Sequence, residues 1–367
     1  MTQQTWFDAH PTKAKFLVFF ICLILIEIGA RALVWFELLP YTRYPTNVEL
    51  EFWTRSEPVV GIWHEPNASF DDDRQCFEAH LESNSMGARD RERSKRLPGK
   101  ERVIVLGDSL IEGLGVEYGD RVTEILEART GIEHMNVASI SWATIQQWLF
   151  YENYASDYDH TAVFVFIFPA NDFGEMDPEV NSTTKYKPYL RKLEQGMEVY
   201  YPVAYDDRRI AERSRSTAIK NAVENNIYLL NVLRYAWRTL RHQGWEKHDR
   251  PYYDDFSERD LEVMLFALEG LAQAVGDKPL YVIIIPDYED MRYVQETGDG
   301  FRLIDALNKF ARQREHVEII DLLPYFMEYL KENDLSFEAL TLGCDWHWGK
   351  LGNTVVAEAL IEHIYSE

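Results

Sequence analysis

An α/β fold built on a parallel sheet is what this chain predicts, on three observations. Five short runs rich in β-branched and aromatic residues, Val103–Leu106, His134–Val137, Ala162–Phe168, Leu280–Ile285 and Val317–Ile320, alternate with helical stretches. Three of these runs are almost wholly apolar, as expected of strands buried on both faces. The first of them, extended by Arg102, empties directly into Gly107-Asp108-Ser109-Leu110, followed by Glu112, Gly113 and a helix-like segment. A strand that ends in such a turn is where a parallel sheet exposes a nucleophile.

Ahead of that sheet lie two segments of different character. Residues 16–26 are uninterruptedly apolar, and Phe16–Leu39 as one helix would be about 36 Å long, enough to cross a bilayer. Glu27 and Arg31 interrupt the stretch four residues apart, so one helix face could pair them, although each charge near mid-membrane costs roughly 2.5–3.5 kcal/mol. Lys13 and Lys15 precede the run, which keeps the N-terminus cytoplasmic and sends the remainder across. A membrane anchor through residues 16–39, a signal segment cleaved near Ala30-Arg31-Ala32, and a buried amphipathic helix are all compatible with this pattern. The first two place the rest of the chain outside the cytoplasm, in the periplasm or beyond. Residues 41–100, rich in Pro, Asn, Asp and Arg, show neither period and read as a connector folded over a domain that spans 101–367.

Within that domain the helices have readable ends. Ser257 with Asp260 forms a capping-box pattern, Leu261, Met264, Leu265, Leu268, Leu271 and Val275 make a core-facing stripe, and Gly276 stops the helix. Asn353 is placed to cap a last helix with Val355, Val356, Leu360, Ile361 and Ile364 facing inward. Residues 174–256, charged and aromatic-rich with a helix-like Ala222–Leu240, break the alternation and read as an insertion.

Charge and cysteine usage narrow the partners. A net charge of −23 argues against a nucleic-acid partner, whose phosphates are bound by clustered Lys and Arg. Cys22 belongs to the apolar run, which leaves Cys76 and Cys344 as the one pair an exported domain could bridge; spacing alone does not settle whether they meet. No Cys/His set has zinc-site spacing.

The residues that carry chemistry converge on one sheet edge. A serine hydroxyl needs a base to take its proton, and the base needs a third group to fix its tautomer. Ser109 and, near the C-terminus, His347 and Asp345 can fill those roles. Ser109 at the start of a helix would have free N–H groups and the helix dipole beside a developing oxyanion. The third strand empties into Phe168-Pro169-Ala170-Asn171-Asp172, where Asn171 could donate to the oxyanion while Asp172 holds the turn. The second strand empties into the polar loop Asn136–Thr144 at the same edge. Trp142, Trp346 and Trp348 are candidates to stack on sugar rings, with core packing the expected role of at least two.

Taken together, these blocks resemble the SGNH, or GDSL-like, hydrolase family in its membrane-anchored bacterial form. Gly107-Asp108-Ser109-Leu110 is similar to its first block, Asn136–Thr144 to its second, Asn171-Asp172 to its third, and Asp345-Trp346-His347 with Gly352 to its last. The resemblance implies a flavodoxin-like three-layer α/β/α fold with a five-stranded parallel sheet, and ester hydrolysis with neither cofactor nor metal. It also implies that Ser109 is the nucleophile, His347 the base and Asp345 its orienting carboxylate. The oxyanion donors would be Ser109, Ser141 and Asn171, supported by Asp108 and Asp172. Ser141 stands where the family usually has glycine, Pro169 where its third block usually opens with glycine, and one residue rather than two separates Asp345 from His347. Three functions fit: an esterase removing acyl groups, acetyl among them, from a carbohydrate or lipid-linked substrate; an O-acyltransferase acting on an exopolysaccharide; and a non-catalytic carbohydrate-binding or assembly protein.

Overall fold

The structure, a computed structural model, describes every residue except 1–5, 37, 40–51, 54, 74–76, 180–185, 206–214, 242–249, 343–344 and 367. Cys76 and Cys344, and so the question of a bridge between them, lie outside the described residues. The chain opens with α1 (Trp6–Ala9) and α2 (Pro11–Trp35). Four short strands follow, β1 (Arg55–Glu57) paired antiparallel with β2 (Gly61–Trp63), and β3 (Ser69–Asp73) paired with β4 (Glu78–Glu82). Then come β5 (Arg102–Leu106), α3 (Ser109–Glu112), α4 (Val122–Thr130), β6 (Glu133–Asn136), α5 (Thr144–Asn153), β7 (Ala162–Ile167) and α6 (Pro169–Met176). The insertion holds an antiparallel hairpin, β8 (Tyr189–Lys192) and β9 (Met197–Tyr200), and two helices, α7 (Arg215–Asn226) and α8 (Tyr228–Arg241). The chain closes with α9 (Glu258–Val275), β10 (Leu280–Ile284), α10 (Tyr288–Thr297), α11 (Arg302–Ala311), β11 (Val317–Asp321), α12 (Leu323–Glu332) and α13 (Lys350–Tyr365).

The five strands expected from the apolar runs form one parallel sheet in the order β11-β10-β7-β5-β6. Numbered along the sheet's own strands this is 2-1-3-4-5, the flavodoxin-like order. Every residue of β5 is buried, as is nearly every residue of β7 and β10, whereas in the edge strand β11 only Val317 and Ile320 are buried. That is why the central runs are continuously apolar and the edge run is not. Helices form two layers: α4 packs on α13, with α12 beside it, and α5 packs on α9, with α6 and α11 beside that pair. The expected capping box closes the start of α9, with the Ser257 N–H 2.8 Å from Asp260 Oδ2 and the Asp260 N–H 3.2 Å from Ser257 Oγ.

Two helix readings need correction. Asn353 does not cap α13, which begins at Lys350; inside the first turn its Nδ2 donates back to Gly349 O at 3.0 Å and its Oδ1 accepts the Val122 N–H at 3.1 Å. It therefore ties α13 to the start of α4, a job its amide can do only from inside the helix. The helix-like Ala222–Leu240 is two helices, broken at Ile227.

The chain forms two compact units. One contains α1, α2, α7 and α8, so residues 213–246 of the insertion group with the N-terminal helix rather than with the sheet. In it, α2 is long and apolar enough to cross a membrane by length and composition, and α8 packs along it. The other unit contains the sheet, its helices and most of the connector. There Trp63 stacks on Trp142 at 4.9 Å, and Trp142 Nε1 donates to Ile62 O at 3.0 Å, so the connector is part of this unit's core.

Candidate active site

Parallel strands end in register, and the loops that follow them share one edge of the sheet. Val105 of β5 pairs with Asn136 of β6 and with Phe164 of β7, which brings the Gly107–Ser109 turn, the Asn136–Thr144 loop and the start of α6 together. Gly107 is required by packing: a Cβ there would stand 2.6 Å from the Ile111 side chain. Asn136 binds the turn from beside, its Nδ2 donating to Ile111 O at 2.7 Å, and the Ser139 N–H reaches Gly107 O at 3.4 Å.

Across 238 positions of sequence, Ser109 Oγ lies 2.7 Å from His347 Nε2. The Nδ1 of the same ring meets Asp345 Oδ1 in a very short contact, and the His347 backbone N–H donates to that oxygen at 3.0 Å. A carboxylate only accepts, so Nδ1 carries the ring proton and Nε2 is left free to accept the Ser109 hydroxyl hydrogen. The single residue between Asp345 and His347 is thus enough, because the carboxylate folds back onto the backbone of its own loop. Ser109 and His347 are both buried, while Trp346 remains 38% exposed beside them. Its indole stacks on the His347 ring at 3.9 Å and on Phe168 at 5.1 Å. Trp142 and Trp348 are core residues.

Of the oxyanion candidates, Ser141 takes the left-handed conformation, φ +60°, that glycine would adopt without strain. Its loop is pinned on both sides: the Ile140 N–H donates to Glu112 Oε2 at 2.6 Å, and Lys187 Nζ donates to Ser141 O at 3.2 Å while pairing with Glu175. Asn171 is not in a loop; Pro169 opens α6 at its first position, where proline's missing N–H costs nothing, and Asn171 follows in the first turn. Its Nδ2 lies 3.4 Å from Asp108 Oδ2, leaving its second N–H for another acceptor. The helix-dipole contribution expected at Ser109 is not there, because α3 is a single turn of four residues and the Leu110 N–H already serves Asp108 Oδ1 at 2.9 Å.

Two supporting carboxyls are fully buried. Burial pushes Asp108 up to about 6, against the pull of the Leu110 N–H and of His347. Burial first, and the neighbouring Asp108 next, raise Asp172 well above its ordinary value. Asp172 Oδ2 accepts the Phe168 N–H at 3.3 Å, which holds the strand-to-helix turn.

Glu112 carries a role that the sequence does not announce. Its carboxylate accepts from Trp53 Nε1 at 2.5 Å and stands 3.2 Å from His64 Nε2, in addition to the Ile140 N–H. Burial pushes it upward, but His64, Trp53 and Arg89 together hold it below its ordinary value. Glu112 is three residues from Ser109 and links the Ser109 turn, the connector and the Ser141 loop. Lys187 is the other residue that sequence reasoning misses; a lone lysine in an insertion carries no motif. Among the described residues no group of three or more His, Cys, Asp or Glu side chains could hold a metal ion.

No family model matches this sequence, and no curated protein matches it either. Among solved structures it is similar to a member of the lipolytic G-D-S-L family from Veillonella parvula, at 13% identity and a TM-score of 0.37 over 73% of this chain and 100% of that one. It is also similar to a catalytic mutant of an acetylxylan esterase from Geobacillus stearothermophilus, at 14% identity and 0.37 over 75% and 98%. A third is a psychrotrophic esterase from Pseudoalteromonas, at 10% identity and 0.36 over 72% and 97%.

Proposed function

We propose that this chain is a serine ester hydrolase that removes acyl groups, acetyl foremost, from a carbohydrate or lipid-linked substrate on the non-cytoplasmic side of a membrane. The observation that carries the reading is the 2.7 Å contact between Ser109 Oγ and His347 Nε2, with Asp345 fixing the tautomer behind it. In that arrangement His347 takes the Ser109 proton as Oγ attacks the ester carbonyl, then gives it to the departing alkoxide. A water deprotonated by the same nitrogen attacks the acyl-enzyme, and the acid leaves as Ser109 recovers its hydrogen. Asn171 and the Ser141 backbone N–H are the donors we assign to the oxyanion, joined by the Ser109 N–H. Trp346, partly exposed beside the base, offers an aromatic edge to a sugar, and the apolar α2 supports an anchored, exported placement. The net charge of −23 argues against a nucleic-acid partner.

Replacing Ser109 by Ala is expected to lower turnover of p-nitrophenyl acetate by about 10⁴-fold or more while leaving the fold intact. Unchanged turnover in a folded variant would eliminate the mechanism. Acetylated oligosaccharide separates the acceptors: released acetate marks hydrolysis, and acetyl moved to a second sugar marks transfer.

A further inference from the structure

We propose that α7 and α8 lie in the membrane–water interface beside α2, with an apolar stripe in the lipid, and that α2 is retained because it holds them there. This rests on the anchored reading of α2 given above.

The charges that interrupt the apolar stretch are not left bare. The Glu27 carboxylate accepts the N–H groups of Tyr228 at 3.0 Å and Leu229 at 2.9 Å, the orphan donors at the start of α8. Arg31 Nε donates to Glu27 at 2.9 Å, and its Nη2 donates to the carbonyl of Asn226, the last residue of α7, at 2.8 Å. The guanidinium also lies 4.5 Å over the Tyr228 ring. One step along α2 therefore supplies an anion to the start of one helix and a cation to the end of the other, each of the sign that its helix terminus favours. The break at Ile227 is seated on α2 just past the uninterrupted run 16–26.

On either side of that break, Ile219, Val223, Ile227, Leu230 and Leu233 are exposed at 38–64%, at successive spacings of four, four, three and three. Within α7 the spacing puts Ile219 and Val223 on one face, and within α8 it does the same for Leu230 and Leu233, with Ile227 at the break between the two pairs. In the same unit, only 6% of the apolar window of α2 is buried. Apolar faces on α8, which packs along an apolar spanning helix, and on α7, which packs on α8, fit the boundary between headgroups and acyl chains where the apolar run of α2 gives way to charge. Cleavage after Ala30-Arg31-Ala32 would remove both partners of the break, so the interfacial arrangement depends on the segment staying attached.

The test uses the full chain in lipid nanodiscs, with Cys22→Ala, Cys76→Ser and Cys344→Ser as background and a nitroxide on Val223→Cys or, as the water-exposed reference in the sheet-bearing unit, on Lys100→Cys. Collisional relaxation by oxygen and by a soluble nickel chelate reads the surroundings of each label. At position 223 oxygen is expected to win several-fold, and at the reference position 100 the chelate. Equal chelate access at both positions overturns the proposal, as does dipolar broadening between labels on separate molecules, which would put a second copy on the stripe. An intact mass that begins after Ala32 also overturns it. A full chain recovered in the aqueous fraction after carbonate extraction sinks the anchored reading itself. A membrane-retained chain with a chelate-accessible position 223 sinks only the interfacial placement. Ester turnover enters none of these readouts.

Discussion

Ser141 shows how one residue can carry both a cost and its remedy. A non-glycine residue in the left-handed region costs roughly 1–2 kcal/mol, and here the strain falls on the loop assigned to the oxyanion. Lys187, nearly buried, bonds the Ser141 carbonyl and so holds the peptide in that orientation. Ser141→Gly is expected to stabilise the protein by about 1 kcal/mol with activity retained, measured by urea denaturation. Lys187→Met is expected to lower kcat about tenfold, a loss near 1.4 kcal/mol, with little change in KM. In the Ser141→Gly background the same replacement should cost less, because glycine needs no clamp; an equal cost in both backgrounds would show that Lys187 acts elsewhere. Much of this site was legible in the sequence, since Ser109, Asp345 and His347 occur in recognisable blocks. The clamp on Ser141 was not, because it comes from a lysine 46 positions away.

At the scale of elements, continuous apolar runs revealed the central strands because burial on both faces leaves no polar position. Asn171-Asp172 reads as a turn in isolation, yet Pro169 turns it into the first turn of α6. Asn353 resembles a cap for a related reason: only tertiary contact with α4 gives its amide a different use. The edge strand β6 has a comparable tie, His134, whose Nδ1 lies 2.9 Å from Ile132 O and whose Nε2 lies 2.9 Å from Tyr365 OH at the end of α13. Burial pushes this histidine down to about 4, so the unfolded chain binds its proton first as the pH falls. The folded state is then neutral at His134 between about pH 6.5 and 4, and stability is lost across that window, by about 3 kcal/mol from this group. Relative to His134→Gln, the wild-type stability measured by denaturation should fall by that amount over the window. A constant difference between the two proteins would refute the assignment.

For the whole molecule, the two units differ in what holds them together. Among the described residues, the hydrophobic core of the sheet-bearing unit is built from residues of that unit. Its stability should therefore be indifferent to the polar contacts of the other unit. Glu27→Ala with Arg31→Ala is expected to leave p-nitrophenyl acetate turnover within about twofold and the main thermal transition in place, as independent sites should. A large loss of either would mean that the units are energetically coupled. The grouping of residues 213–246 with α2 was hidden in the sequence, because the pairing of Glu27 and Arg31 with a helix break some 200 positions away leaves no periodic trace.

The central claim is that the Ser109 hydroxyl is activated by His347, and a fluorophosphonate probe tests it most directly. Mass spectrometry of the treated full chain should find a single adduct on the peptide that contains Ser109, abolished by His347→Ala and by prior denaturation. An adduct on another serine, or labelling of Ser109 that survives loss of His347, would contradict the account.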